Sequence, residues 1–178
     1  MYRALLLTGV AGVGKSTVAN AVGGVLTSAG HVTAVVDADM LAQFGPPPNG
    51  DLPSGRFYDE LKCTNLAAVW ANYQAAGARY LVVAAVIDGV AQRERYAASL
   101  AGCEIRLVRL IADKETVVSR LRRRDIGSKL EKHLRALDEP SLAPNATGVA
   151  DFTVTNDRAA ADVAAGILVR AGWLDRAR

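Results

Sequence analysis

Eight residues near the start of the chain, Gly9-Val10-Ala11-Gly12-Val13-Gly14-Lys15-Ser16, follow the spacing GxxxxGK[ST]. Those types in that order suit one task, holding a run of phosphates. Glycines let the backbone curl so that successive N–H groups point inward at phosphate oxygens, where side chains would obstruct. A helix opening near Lys15 adds the positive end of its dipole. Lys15 is expected to reach the β- and γ-phosphates, and the Ser16 hydroxyl to take a place on Mg²⁺, with Thr17 beside it. A glycine turn that happens to carry Lys-Ser would match the same spacing. Here the match follows a short apolar run and opens a helical one, the context that a phosphate loop requires.

A second group is Asp37-Ala38-Asp39, at the end of an apolar stretch. Carboxylates at the C-terminal end of a strand beside a phosphate loop face the cleft where open α/β sheets bind ligands. Alternation along an extended backbone would put Asp37 and Asp39 on one side. A solvated turn is the plainer alternative. The third group is Arg120-Leu121-Arg122-Arg123-Arg124, with Lys129 continuing the basic stripe. An arginine plane stacks on a base while its charge offsets charge that develops in a transition state. The competing explanation is a basic helix C-terminus favoured by the dipole. A nucleic-acid patch would want interleaved aromatics, which this stretch lacks.

Weaker candidates surround these. Asp88 follows an apolar run and is either a magnesium-side carboxylate or part of an Asp-Gly turn. Arg56 could pair with an anionic acceptor or lie on the surface. Asn65, Trp70 and Tyr73 could line the same cleft, though their helical spacing suits a core, and Asn156-Asp157, after the last strand, is either a place where backbone groups hold a base or, more plainly, a turn or helix cap. His31 and His133 are isolated and are assigned neither metal nor catalysis. Cys63 and Cys103 have no CxxC or metal-ligand spacing and read as reduced, buried thiols.

The elements that must position these residues alternate strand and helix. Residues 4–8 read as a buried parallel strand. Lys15 to Ala29 reads as a helix stopped by Gly30, with Gly23 and Gly24 allowing close packing on a sheet. Val32 to Val36 is a second strand, Gln43 to Gly55 a proline-rich loop, and Glu60 to Ala76 a helix. Arg79 to Ile87 is the strongest strand, followed by a helix over 91–100 and a strand from Glu104 to Ile111. Asp113 caps the next helix. Asp125-Ile126-Gly127-Ser128 supplies a flexible break, and the spacing of Ser128 and Glu131 predicts a capping box that opens another helix. Pro140 ends that helix, residues 141–150 form a loop, Phe152 to Thr155 a last strand, and Ala159 to Ala171 a closing helix. Five strands alternating with helices imply a parallel sheet covered on both faces.

With 178 residues, 51% of them hydrophobic and 22% charged, the chain is expected to form one folded domain spanning 1–178. A net charge of +3 suits nucleotides and falls short of a nucleic-acid signature. The apolar run 80–87 is too short to span a bilayer, and 4–7 too short for a secretory signal, so no membrane and a cytoplasmic location are expected.

Phosphate loop, acidic pair after the second strand and arginines after the fourth together resemble the small-molecule kinases related to nucleoside monophosphate kinases. Shikimate kinase, adenylylsulfate kinase, gluconate kinase and chloramphenicol phosphotransferase belong to that group. The resemblance implies an α/β, three-layer P-loop fold, with a five-stranded parallel sheet of order 2-3-1-4-5, helices on both faces and a small lid. It implies ATP and Mg²⁺ as cofactors, an acceptor-binding segment over about 40–75 and a lid over about 122–137. By the same resemblance Asp39 would accept from the acceptor hydroxyl, and Asp37 would hold water on magnesium. Arg120 would stack on adenine and Arg124 touch phosphate, which makes Lys15, Asp39 and Arg124 the expected catalytic set.

The sequence also departs from the group. Ala42 and Gln43 stand where adenylylsulfate kinases carry an arginine, and Val86-Ile87-Asp88-Gly89 stands where shikimate kinases carry a glycine run. Neither acceptor is therefore inherited. The expected partners are ATP and an unidentified small molecule, with the chain a monomer or homodimer. The alternative is a nucleotide-binding switch or slow NTPase. A GTPase would want an NKxD guanine motif, which is absent from the sequence.

Overall fold

The computed structural model describes residues 1–46, 54–138 and 148–174. Its centre is β1 (Tyr2–Thr8), whose residues alternate between two cores. Ala4 and Leu6 face one side of the sheet, Leu5 and Leu7 the other, as strand periodicity requires. All four are completely buried, which explains why the run reads as continuously apolar. The remaining strands are β2 (Thr33–Asp37), β3 (Tyr80–Ala84), β4 (Cys103–Ile111) and β5 (Phe152–Thr155). They pair in parallel in the order β2-β3-β1-β4-β5, with Leu5 opposite Val82 on one side and Arg106 on the other. The expected fold class and strand order are met.

Helices cover both faces. On one side α1 (Lys15–Ser28) and α6 (Ala160–Arg170) pack together, burying Val18, Val22, Leu26, Ile167 and Leu168 against Leu5, Leu7 and Val108. On the other, α2 (Ser54–Ala75) and α3 (Val90–Ser99) bring Leu66, Trp70 and Tyr96 against Leu6, Leu81 and Leu107. Helices α4 (Lys114–Arg124) and α5 (Gly127–Ala136) follow β4 and lie against each other. Among the described residues no helix is long and apolar enough to cross a membrane.

Several local expectations are corrected. Helix α2 begins six residues before Glu60, and Gly55 does not break it. The first turns are stabilised by an Arg56–Glu60 pair at 2.9 Å and by Phe57 against Phe44, contacts that local propensity does not report. Strand β3 stops at Ala84 rather than Ile87. There the buried Thr8 hydroxyl accepts from Ile87 N–H at 2.8 Å and donates to Ile87 C=O at 3.1 Å, drawing the chain out of the ladder.

The capping box is not formed. Ser128 lies inside α5, Ile126 takes the cap position without a side-chain bond, and Glu131 instead meets Arg135 at 3.5 Å. The helix ends at Ala136, and Pro140 lies outside the described residues. The expected cap at Asp113 is present, accepting from Thr116 N–H at 2.7 Å. Gly23 has the expected sheet contact, since a Cβ there would run into Val35, whereas Gly24 has nothing near it. Both cysteines are free, Cys63 buried and Cys103 half-buried.

Candidate active site

The loop between β1 and α1 is held in place by contacts that leave no room for side chains at its glycines. Gly12 and Gly14 have φ of 81° and 103°, a region in which L-residues are strained. A Cβ on Gly12 would stand 2.8 Å from Leu121 Cγ of α4, and one on Gly14 would collide with Asn156 Nδ2. The loop is thus wedged between α4 and the residue after β5. Its Val13 carbonyl accepts from Asn156 Nδ2 at 2.7 Å and from Arg120 Nη1 at 3.1 Å. Asn156, read from sequence as a turn or cap, is in fact a buried brace for the phosphate loop. Nothing local in the sequence signals this, because the contact spans 143 positions.

Lys15 opens α1 and turns back over the loop, donating to the carbonyls of Gly9 at 2.7 Å and Val10 at 3.1 Å. Burial in the loop pushes its ammonium below lysine's ordinary pKa, while the charges of Asp39, Asp37 and Asp88 push it back up. Three carboxylates from the ends of β2 and β3 therefore act on one lysine. Asp88 is half-buried, and its N–H is held by Gln92 Oε1 at 2.8 Å.

The acidic pair is built differently from the expected alternation. Asp37 ends β2, and Ala38–Ala42 is a 3₁₀ turn rather than extended chain. Asp37 caps that turn, one carboxylate oxygen accepting from Asp39 N–H at 3.0 Å. Its other oxygen accepts from Ser16 Oγ at 2.6 Å. Asp39 points to α2, where Lys62 Nζ lies 2.6 Å from Oδ1. The two aspartates thus share the site through a turn and not through strand periodicity.

The arginine stretch divides by helical phase. Arg120 and Arg124, four residues apart, line a cleft of about 410 Å³ with Thr17, Asn156, Arg158 and the backbone of Gly12 and Gly14. Arg122 and Arg123 line a separate groove with Glu115 and Ser119. Arg124 is held by the next residue, Nε and Nη2 each donating at 3.0 Å to Asp125. The expected break between the helices is present at Asp125 and Ile126, with the Asp125 side chain tied into the fold. Asp125 is 2% exposed and also meets His133 Nδ1 at 2.7 Å. The Arg124 guanidinium first, and then His133, hold its carboxyl well below the usual carboxylate range.

Other candidates fall outside the cleft. Arg56 is taken by Glu60, Asn65 donates to the Leu41 carbonyl at 2.6 Å, Trp70 is core, and Tyr73 is exposed. His31 lies against the Tyr80 ring.

The glycine-lined cradle, the inward lysine and the arginine-lined cleft suit a polyphosphate and base. Among the described residues no group of three or more His, Cys, Asp or Glu is gathered for a metal. The Ser16–Asp37 pair supplies hard oxygens of the kind magnesium takes when phosphates complete its shell. The residues fit.

Comparison with known proteins bears on the family and the fold. The AAA domain family model matches residues 5–140. An adenylyl-sulfate kinase of Paraburkholderia xenovorans (strain LB400) is 28% identical over 166 residues, covering 85% of this chain and 82% of that protein. Among solved structures, the Mycobacterium tuberculosis APS kinase in complex with AMPPNP and APS superposes with a TM-score of 0.63 at 22% identity, covering 96% of this chain and 98% of that one. Shikimate kinase from Acinetobacter baumannii, in complex with shikimate, gives 0.62 at 20% identity over 99% of this chain and 97% of that one. A Deinococcus radiodurans tunicamycin resistance protein gives 0.59 at 19% identity over 98% of each chain.

Proposed function

We propose, from the premise that the chain belongs to the AAA domain family, that it transfers the γ-phosphoryl group of ATP to a hydroxyl or acidic group of a small molecule. Its relatives make it a nucleotide-dependent phosphotransferase of the P-loop small-molecule kinase group. The observation that carries the finer reading is the convergence of Lys15, Ser16, Asp37 and Asp39 beside a cleft lined by Arg120 and Arg124.

The loop backbone and Lys15 would hold the phosphates, and Ser16 with Asp37 would hold magnesium. Bound Mg²⁺ supplies charge neutralisation across the phosphate oxygens. Arg120, fixed on the Val13 carbonyl and lining the cleft, would stack on the base there. Arg124 brings positive charge toward the same cleft, and its Coulomb reach extends to Lys15 and the acidic pair. Asp39, paired with Lys62 at 2.6 Å, is the group that would orient an acceptor hydroxyl and take its hydrogen bond. The segment 40–75 would shape the acceptor pocket, and 122–137 would act as the lid that keeps water from the reacting phosphate. Catalysis on this account is positioning and charge stabilisation.

The experiment is ADP release from ATP and Mg²⁺ across nucleosides, nucleotides, sugars, hydroxy acids and antibiotics. The expected result is turnover with one acceptor class that falls on the order of 10²–10³-fold in Lys15→Ala. Slow release independent of acceptor would move the protein to the switch or NTPase alternative.

A further inference from the structure

The buried carboxylate at the junction of α4 and α5 has a role that none of the motifs assigns. We propose that Asp125 is a positioning residue for Arg124, setting the orientation in which its guanidinium meets the phosphates. The proposal rests on the phosphotransferase reading above.

One carboxylate makes two kinds of contact, both oxygens taking part in each. Asp125 Oδ2 takes His133 Nδ1 at 2.7 Å, and Oδ1 lies 3.5 Å from Lys129 Nζ. Those contacts join the end of α4 to α5. The contact with Arg124 cannot serve that purpose. Arg124 and Asp125 are adjacent in the chain, so a bond between their side chains closes no loop and ties no elements together. Its consequence is to fix the arginine side chain. The Asp125 side chain is fully out of solvent, whereas that of Arg124 is 54% exposed. A buried, immobile anchor thus holds an accessible cation at the rim of the cleft.

Two further features suit orientation more than neutralisation. A guanidinium carries five N–H donors in a rigid fork, and this pairing uses Nε and one N–H of Nη2. The other donors stay available for phosphate oxygens. Asp125 is also shared, since Lys129 and His133 draw on the same charge. Its negative charge does not cancel Arg124 alone, and net positive potential remains at the junction. Removing the carboxylate would leave the arginine charged but free to rotate, with its rotamer entropy to be lost on each binding event.

The test is a double-mutant cycle on binding of AMPPNP with Mg²⁺, by calorimetry, over the wild type, Asp125→Asn, Arg124→Ala and the double variant. Arg124→Ala is expected to weaken binding about tenfold, the scale of a charge-assisted hydrogen bond. Asp125→Asn should weaken it severalfold alone and have no further effect without Arg124. A purely structural Asp125 would cost the same factor in both backgrounds, which would overturn the proposal.

A second readout needs no nucleotide. The Arg124 Nε–H resonance in nitrogen NMR should be sharp in the wild type, and shifted or exchange-broadened in Asp125→Asn. An unmoved resonance overturns the proposal. If Asp125→Asn does not fold, Asp125→Glu keeps the charge and displaces the carboxylate. A moved Arg124 resonance in that variant supports the proposal, and an unmoved one overturns it. A wild type that binds no AMPPNP would defeat the phosphotransferase reading itself, a failure the nucleotide-free resonance distinguishes.

Discussion

Asn156 and Gly14 show how closely single residues set the phosphate loop. The amide of Asn156 bonds the Val13 carbonyl from the space that a Cβ on Gly14 would occupy. Gly14→Ala therefore meets two penalties, a left-handed φ of 103° and a collision with a buried side chain. It should weaken nucleotide binding about five- to thirtyfold, from ~1–2 kcal/mol of backbone strain alone, measured by calorimetry. Unchanged affinity would show that the loop relaxes at no cost. The glycines, Lys15 and Ser16 were legible in the sequence because their chemistry is local. Asn156 and Asp125 were not. An asparagine after a strand and an aspartate after an arginine are ordinary turn signals, and only tertiary contacts give them their work.

At the scale of elements, strand and helix order was readable because β1 and β3 are buried on both faces and read as continuous apolar runs. Boundaries failed where distant groups intervened. Helix α2 starts early because Phe57 and Arg56 find partners, and β3 stops early because Thr8 captures Ile87. That last contact links the strand feeding the phosphate loop to the segment carrying Asp88. Thr8→Val removes the hydroxyl at nearly constant volume and leaves the Ile87 N–H without its acceptor. The expected loss is ~1–3 kcal/mol of stability by chemical denaturation. A wild-type stability would mean that Ile87 finds another partner. The acidic pair teaches a related lesson. Asp37 and Asp39 meet the site as expected, but through a 3₁₀ turn that Asp37 itself caps.

Across the whole molecule, the sheet order β2-β3-β1-β4-β5 accounts for where the chemistry gathers. Central β1 delivers the phosphate loop, β2 and β3 bring carboxylates to its side, and β4 leads through α4 to the arginines. All arrive at the C-terminal edge of a parallel sheet, the edge where such folds bind ligands. The likeness to solved kinase structures covers nearly the whole chain, so the frame that gathers these residues is a shared fold. The sequence offered 40–75 as an acceptor segment only through the family resemblance, and it carries no motif that names an acceptor.

The central claim is transfer, not hydrolysis. The most direct measurement follows the γ-phosphorus of ATP by phosphorus NMR, with Mg²⁺ and each acceptor class in turn. The account predicts a new phosphoester or acyl phosphate signal that grows in step with ADP in wild type and is absent in Lys15→Ala. Inorganic phosphate appearing in step with ADP, whatever acceptor is present, would contradict it.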